Sequence, residues 1–574
     1  MNFKKLLVAA LPAMLLASCA SDEPGVNTGG ESTKGGLYAT IKLDVPGSRS
    51  ETTETPGENT NSNDGYEVGK PYENNINNVT IVLATLENNV YKAQAFGTYT
   101  SNSAAPSPSP TENNVYTIQF QDTLIAKLKD QTVHIFAYCN TTLSDANFTP
   151  GVDLSVMESK MESAAANQGI WQRSNFMMVN APNRDIPTYD MPDEKTLLNN
   201  YNSPEKALNL GTVDVARAAA RFDYKPVNEN LYDIKDINTG DVVAQVEMVS
   251  MAPFNIAKSF YTLPRVSADG SDNGWEICGD EVYNRVTGVG NYVVTPNYAD
   301  KITNSITSLA GNYYEAFSGL ANYEALTMYA NIKEWYATAD NDNDENWTAT
   351  DKDGYKIWRY VTENTIPQID KQRKGITTGV VFKGRLTNPA EGSLMASAMN
   401  NHKPIYFYNG TCYGDIANLR RVVANLDPSA AMRQKFEQVF AGKNYLKFST
   451  NDQGERVYEV LDNALVDATS AENNSTFKII RPSADNQYYV YYVYYNRHND
   501  NGNNNSMGVM EFATVRNNVY KLSVTKVSDF GHTNDPKDDP DPENPEDPDE
   551  TPKTYFQVSC RVLPWIVRIN DIPF

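Results

Sequence analysis

Four histidines, five cysteines and 71 acidic side chains are the groups of this chain that could act as nucleophiles, proton carriers or metal ligands. His134, His402, His498 and His532 stand far apart, and no Gly-x-Ser-x-Gly, His-Glu-x-x-His or phosphate-loop pattern accompanies them, so the usual catalytic constellations are missing. Carboxylates in such number could furnish an acid–base pair, yet no spacing singles one out. The run Asp340-Asn341-Asp342-Asn343-Asp344-Glu345 has the composition of a calcium loop. Glu345 occupies the place that needs glycine and Asp351 the place of the bidentate glutamate, so the run reads as a solvated turn. There is no Cys-x-x-Cys pair to make a zinc site, and Cys139 and Cys560 fall at core positions of strand-like segments. The expectation is a protein with no enzymatic activity, no metal and no cofactor.

The elements that carry these residues are predominantly β. A chain of 574 residues, 40% hydrophobic, can bury a large core and is too long for one ordinary sandwich, so two domains are expected. Its 35 tyrosines, its Val and Thr runs and its many Asn, Asp, Gly and Pro turn residues favour strands. Clear candidates are Val79 to Ala84, Val90 to Tyr99, Val115 to Phe120, Val133 to Cys139, Val242 to Ser250, Thr378 to Leu386, Tyr488 to Tyr495 and Asn518 to Val527. Leu154, Met157, Met161 and Ala164 form a 3.6-residue stripe that predicts a helix over Leu154 to Asn167, and Ala424 to Tyr445 reads as a second. The net charge of −22 repels phosphate backbones and anionic lipid surfaces, which excludes nucleic acid as a partner.

The two ends are the most informative. Lys4 and Lys5 precede the apolar run Leu6 to Leu16, too short to span a bilayer, and Leu16-Ala17-Ser18-Cys19 follows. That segment resembles a bacterial lipobox, which implies that Cys19 becomes the lipidated first residue. Next, Leu37, Ala39, Ile41, Leu43 and Val45 alternate along one face of a strand that ends near Arg49 and Ser50, at the start of a polar stretch reaching Asp64. Arg49 thus sits where proteases cut most readily. At the other end, Phe556, Val558, Cys560 and Val562 alternate, and Trp565, Val567 and Ile569 resume the pattern after Pro564 shifts the register. The preceding Asp529 to Thr554 is acidic and rich in proline, and is expected to stay extended by self-repulsion, with a reach on the order of 65 Å.

Taken together, the lipobox, the early strand ending in arginine, Arg217-Ala218-Ala219-Ala220-Arg221, the run Tyr494 to Asn501, the run Val515 to Leu522, the acidic tether and Val562-Leu563-Pro564-Trp565 resemble the Bacteroidales fimbrillins, the type V pilins. The ending is most similar to the major subunit of the short, Mfa-type fimbria. The resemblance implies a mostly β fold: two transthyretin-like β-sandwich domains with a few short helices and a detached C-terminal donor strand. It implies export as an outer-membrane lipoprotein and cleavage after Arg49 by an Arg-specific protease, leaving Ser50 as the new N-terminus. The expected layout is a signal peptide over 1–18, a propeptide over 19–49, domains over 50–210 and 211–530, a tether over 531–553 and a donor strand over 554–574.

The mechanism that follows is strand exchange. Removing Leu37 to Val45 empties an apolar slot bordered by open sheet edges, and the tail of another copy refills it, head to tail, in a filament. The expected partners are copies of the same chain, anchor and tip subunits, the processing protease, and host or bacterial surface receptors, in a protein supporting adhesion and biofilm formation. The alternative is an accessory tip or anchor lipoprotein that does not build the shaft.

Overall fold

The computed structural model describes residues 36–44 and 67–566, less 101–113, 121–124, 142–149, 156, 161–170, 173–174, 183–184, 237–238, 268–273, 279–282, 285–288, 291, 297–305, 339–350, 352, 367–368, 409–410, 414–445, 451, 454–455, 461–476, 499, 504, 509, 537–538, 540–541 and 551–555. Cys19, Val45, Arg49, Ser50, the acidic run Asp340 to Glu345, the second predicted helix, Val567 and Ile569 lie outside the described residues.

In chain order the main elements are β1 (Leu37–Asp44), β2 (Glu67–Val68), α1 (Pro71–Asn74), β3 (Asn78–Glu87), β4 (Val90–Thr100), β5 (Val115–Phe120), β6 (Thr132–Cys139), β7 (Met178–Asn180), β8 (Thr188–Asp190) and α2 (Glu194–Asn200). They continue with β9 (Leu208–Arg217), β10 (Ala219–Tyr224), β11 (Leu231–Lys235), β12 (Val242–Phe254), β13 (Lys356–Thr362), β14 (Gly379–Thr387), β15 (Tyr489–Tyr495), β16 (Asn518–Val527) and β17 (Phe556–Ile566).

The first sheet runs β7-β9-β1-β5-β4-β3-β6-β8, and a further pairing of β7 with β6 closes the hydrogen-bonded order on itself. Its hairpins follow from local chemistry. Asn88 and Asn89 both adopt positive φ between β3 and β4, the left-handed conformation that asparagine tolerates in tight turns. The inner face is the alternating apolar set read from the sequence, with Val79, Ile81, Leu83, Ile118, Phe120, Val133 and Ile135 all buried in one core.

The second domain is a sandwich. Sheet β2-β17-β16-β10-β13 faces sheet β11-β12-β14-β15, and Phe222, Leu522 and Val524 from the one share a core with Val246, Phe382 and Val490 from the other. Tyr224 and Phe382 meet across the layers with centroids 5.7 Å apart. The tyrosine-rich β15 is a buried strand, with Tyr491 stacked on Tyr323 at 5.1 Å. The chain passes from one domain's sheet to the other at Ala218, between β9 and β10.

The stripe at Leu154 to Met157 does not start a helix. Glu158–Lys160 forms a strand against Ser259–Tyr261, and Leu154 is buried in the smaller cluster with Phe260. Apolar spacing over one turn cannot tell a helix from a kinked strand approach, and here pairing with a distant segment decides the outcome.

Where the domains meet, Arg516 and Glu363 form a fully buried pair, with Nη2 2.9 Å from Oε1. Nε also donates to Glu363 Oε2 at 3.0 Å, Nη2 to Tyr261 O at 2.7 Å and Nη1 to Thr262 O at 3.1 Å. Removing one partner strands the other's charge in the core. Arg516→Ala is expected to lower stability by about 3–5 kcal/mol, seen as a fall in the urea midpoint, and the double change Arg516→Met with Glu363→Leu should recover most of it.

Candidate assembly site: two strands and a strap

β1 is enclosed on both edges by neighbouring strands. It pairs antiparallel with β5 from Leu37↔Phe120 to Lys42↔Val115 and parallel with β9 from Ala39↔Leu208 to Asp44↔Asp214, with an irregularity between Thr40 and Lys42. Leu37, Ala39, Ile41 and Leu43 are all buried and alternate with half-buried Tyr38, Thr40, Lys42 and Asp44. The Tyr38 N–H donates to Tyr201 O, just past α2, at 2.9 Å. Three large inward side chains at roughly 1.5–3 kcal/mol each, plus ladder bonds of about 1 kcal/mol each, give a gross hold on the order of 10 kcal/mol. Taking β1 out would uncover an edge on each of β5 and β9 and break the closed order of the sheet.

The C-terminal strand departs from the detached arrangement expected of it. β17 pairs antiparallel with β16 of its own chain, from Val527↔Phe556 to Asn518↔Pro564, and parallel with β2 through Glu67↔Trp565 and Val68↔Ile566. Val558 and Cys560 pack against the domain core, whereas Gln557 and Ser559 are exposed. Phe556, Val562 and Trp565 lie within the same strand. The strand is continuous through Pro564, and the register irregularity falls instead between Val524 and Lys526 of β16. Cys560 Sγ reaches Arg497 O at 3.7 Å, and burial pushes its thiol up to about 12 against a hydrogen bond with Tyr494.

The acidic segment is also no free tether. Its charges meet fixed cations and backbone donors that outweigh its self-repulsion. His532 exchanges both backbone bonds with Tyr491 on β15, at 2.7 and 2.8 Å. Its ring lies 2.9 Å from Asp539 Oδ2 and 3.2 Å from Glu543 Oε1. Lys374 pairs with Glu543 at 2.5 Å and Arg497 with Glu550 at 3.0 Å. Lys374 N–H donates to Asp547 O, Gly375 N–H to Pro545 O, Ile306 N–H to Glu546 Oε1, and Thr377 Oγ1 to Asp549 Oδ2 at 2.7 Å. Residues 530–550, where described, therefore form a strap that caps the outer edge of β15 before the chain returns to β17.

A second cluster, hidden from sequence reading, rivets β2 and α1 in place. Arg221 Nη2 reaches Glu67 at 3.0 Å and Asp223 at 2.8 Å, and its Nη1 reaches Glu73 at 3.1 Å. Arg217 Nε donates to Glu73 O at 3.0 Å, Tyr360 Oη to Glu73 Oε1 at 2.5 Å, and Lys521 binds Glu67 at 2.6 Å and Asp351 at 2.5 Å. Burial pushes Asp223 up to about 6 against the pull of Arg221. The signal was present in the Arg-Ala-Ala-Ala-Arg run, because buried arginines demand carboxylates. Elsewhere, His498 Nδ1 lies 2.9 Å from Tyr520 Oη. No group of three or more His, Cys, Asp or Glu among the described residues is placed to hold a metal.

Residues 484–571, from β15 through the strap to β17, match the family described as major fimbrial subunit protein type IV, fimbrillin, C-terminal. Over that segment the chain carries a fimbrillin C-terminal domain. The chain is also similar to solved structures. One is a fimbrilin of Porphyromonas gingivalis W83, at 11% identity over 93% of this chain and 98% of that one, with a TM-score of 0.35. Another is the tip fimbrial protein Mfa3 of Porphyromonas gingivalis with a C-terminal truncation, at 8% identity over 92% and 100%, TM-score 0.30. A third is a fimbrial assembly protein of Parabacteroides distasonis ATCC 8503, at 13% identity over 45% and 77%, TM-score 0.22. No curated protein sequence matches the chain.

The strap's hold on the fimbrillin domain depends on pH. Burial alone would lower His532, but its hydrogen bonds to Asp539 and Glu543 outweigh that and raise it from 6.5 to about 9. Its stabilisation is complete below about pH 6.5 and is lost as pH rises through about 9. Burial would raise Glu543, but His532 and Lys374 hold it at about 2, so its share is present above about pH 4.5 and lost as pH falls toward 2. Burial lifts Asp549 from 3.8 to about 7, so it opposes docking increasingly as pH rises from about 3.8 to about 7 and fully above that. Hydrogen exchange of strap amides, corrected for intrinsic rates, should be more protected at pH 6 than at pH 9.5. His532→Gln should remove the upper part of that dependence.

Proposed function

We propose that this fimbrillin is a structural subunit of a cell-surface fimbria that polymerises by protease-triggered strand exchange. It is made as a lipoprotein acylated at Cys19, carried to the outer membrane, and cut between Arg49 and Ser50 by an Arg-specific protease. The cut releases the lipid and β1 together. The vacated slot between β5 and β9 takes the C-terminal strand of another copy, and because donor and acceptor surfaces differ the contact repeats head to tail without closing. Anchor and tip subunits end the filament, and the exposed shaft supports adhesion to host or bacterial surfaces and biofilm formation.

The observation that carries this reading is the enclosure of β1. The strand upstream of Arg49 lies between two partners in the middle of a sheet, with its apolar face in the core. A cut that frees such a strand creates two open edges and a greasy groove at once, which is the combination that recruits a foreign strand. β17 has the matching alternation at Val558 and Cys560 and is longer than β1.

The docked state of β17 favours a second reading, an accessory tip or anchor that keeps its tail to itself. The mass of the surface-extracted protein separates the two: Ser50 as the N-terminus means shaft, and lipidated Cys19 means anchor. Arg49→Ala should accumulate as full-length, lipidated, unpolymerised protein, and normal filaments from it would defeat the proposal. A chain truncated after Glu550 should fold and accept a strand but fail to extend the filament.

A further inference from the structure

β17 is held on both edges, but not equally along its length. The β16 ladder ends at Asn518↔Pro564. Beyond it, Trp565 and Ile566 find their backbone partners in Glu67 and Val68 of β2. Among the described residues, the end of the strand nearest the chain terminus is therefore paired by a two-residue strand, and a terminal strand can peel from that end.

β2 is itself immobilised by charge. Glu67 Oε1 sits 3.0 Å from Arg221 on β10, and its Oε2 2.6 Å from Lys521 on β16. Arg221 and Lys521 are almost wholly buried and Glu67 is only 17% exposed, so these bonds are weakly screened. Downstream, the Lys70 N–H donates to Glu73 Oε2 at 2.6 Å, and Glu73 is locked by Arg221 and Tyr360. The other charged groups facing the cluster include Asp223, against Arg221, Arg217, beside Glu73 and Arg221, and Asp351, against Lys521. Glu67 also lies downstream of Arg49, so maturation leaves this arrangement on the chain.

We propose that β2 is a clamp on the donor strand: through the grip of Glu67 on Arg221 and Lys521 it holds the distal end of β17 in its own domain, so that emptying the acceptor slot and releasing the donor are separate events. The proposal rests on the strand-exchange reading and adds a control to it. Cleavage prepares a subunit to receive, and the clamp sets how fast it gives.

The test uses the mature chain. Hydrogen exchange at residues 556–566 and alkylation of Cys560, a half-buried thiol packed against the domain core, both report departure of the strand. Glu67→Gln keeps the shape and removes the charge, and should accelerate both readouts about tenfold or more, the loss expected for charged hydrogen bonds. Lys521→Gln approaches the same contact from the other side, should act in the same direction, and keeps the proposal testable if the first variant folds poorly. Filament growth should accelerate in parallel while exchange across β3 and β6 stays unchanged. Unaltered exchange and alkylation at β17 in both variants would overturn the clamp. If a chain truncated after Glu550 still extends filaments, the strand-exchange reading fails instead, whatever Glu67 does.

Discussion

A strand inside a sheet has two backbone edges and one apolar face to satisfy, and the two terminal strands of this chain meet that demand in the same way. β1 lies between an antiparallel neighbour, β5, and a parallel one, β9. β17 lies between an antiparallel neighbour, β16, and a parallel one, β2. Every unpaired amide or carbonyl left in a buried setting costs about as much as a lost hydrogen bond, so neither strand can leave without a replacement for its neighbours or for itself. The proposed exchange draws on this parallel between the two cradles.

Charge does the positioning that hydrophobic burial cannot. Apolar contacts are non-directional and would allow β2 and α1 several seats at the meeting of the sheets. Arg221, contacting Glu67, Glu73 and Asp223 together, allows one. Such a cluster contributes little net stability after desolvation, since burying ions costs nearly what pairing returns, but a partner missing from it leaves a charge stranded. The same reasoning applies to Arg516 and Glu363, which fasten β16's approach to the carbonyls of Tyr261 and Thr262.

Local alternation made much of this legible. Leu37 to Leu43 read as one inward face and are one, and the strands of both domains fall close to their period-two segments, because each of those patterns needs only the pleat to be interpreted. The misread segments depend on partners far along the chain. The strap looked self-repelling because its counter-charges, Lys374 and Arg497, and its donors at Ile306, Gly375 and Thr377 are distant in sequence. Leu154 and Met157 looked helical because a short stripe was read without the strand Ser259–Tyr261 that pairs beside it. Pro564 looked like a shift of register, yet the ladder shows none at that point, and losing one N–H there does not end a strand that β2 continues to pair.

Under the proposed strand exchange, the docked strap changes the geometry of donation. An extended, free segment would carry β17 on the order of 65 Å, across a whole neighbouring domain. With the strap seated as far as Glu550, only residues 551–555 separate it from the strand, a span of about 20 Å at full extension. The proposed donation then has two routes. Either the acceptor slot of the next copy lies within that shorter radius and the strap remains a fixed part of the shaft, or the strap unbuckles and its carboxylates return to water while His532 and Lys374 lose their partners. The second route breaks the backbone exchange between His532 and Tyr491 and uncovers the edge of β15, whereas the first leaves both intact. On that account the docked strap favours a closely stacked filament whose subunits are joined by a short link.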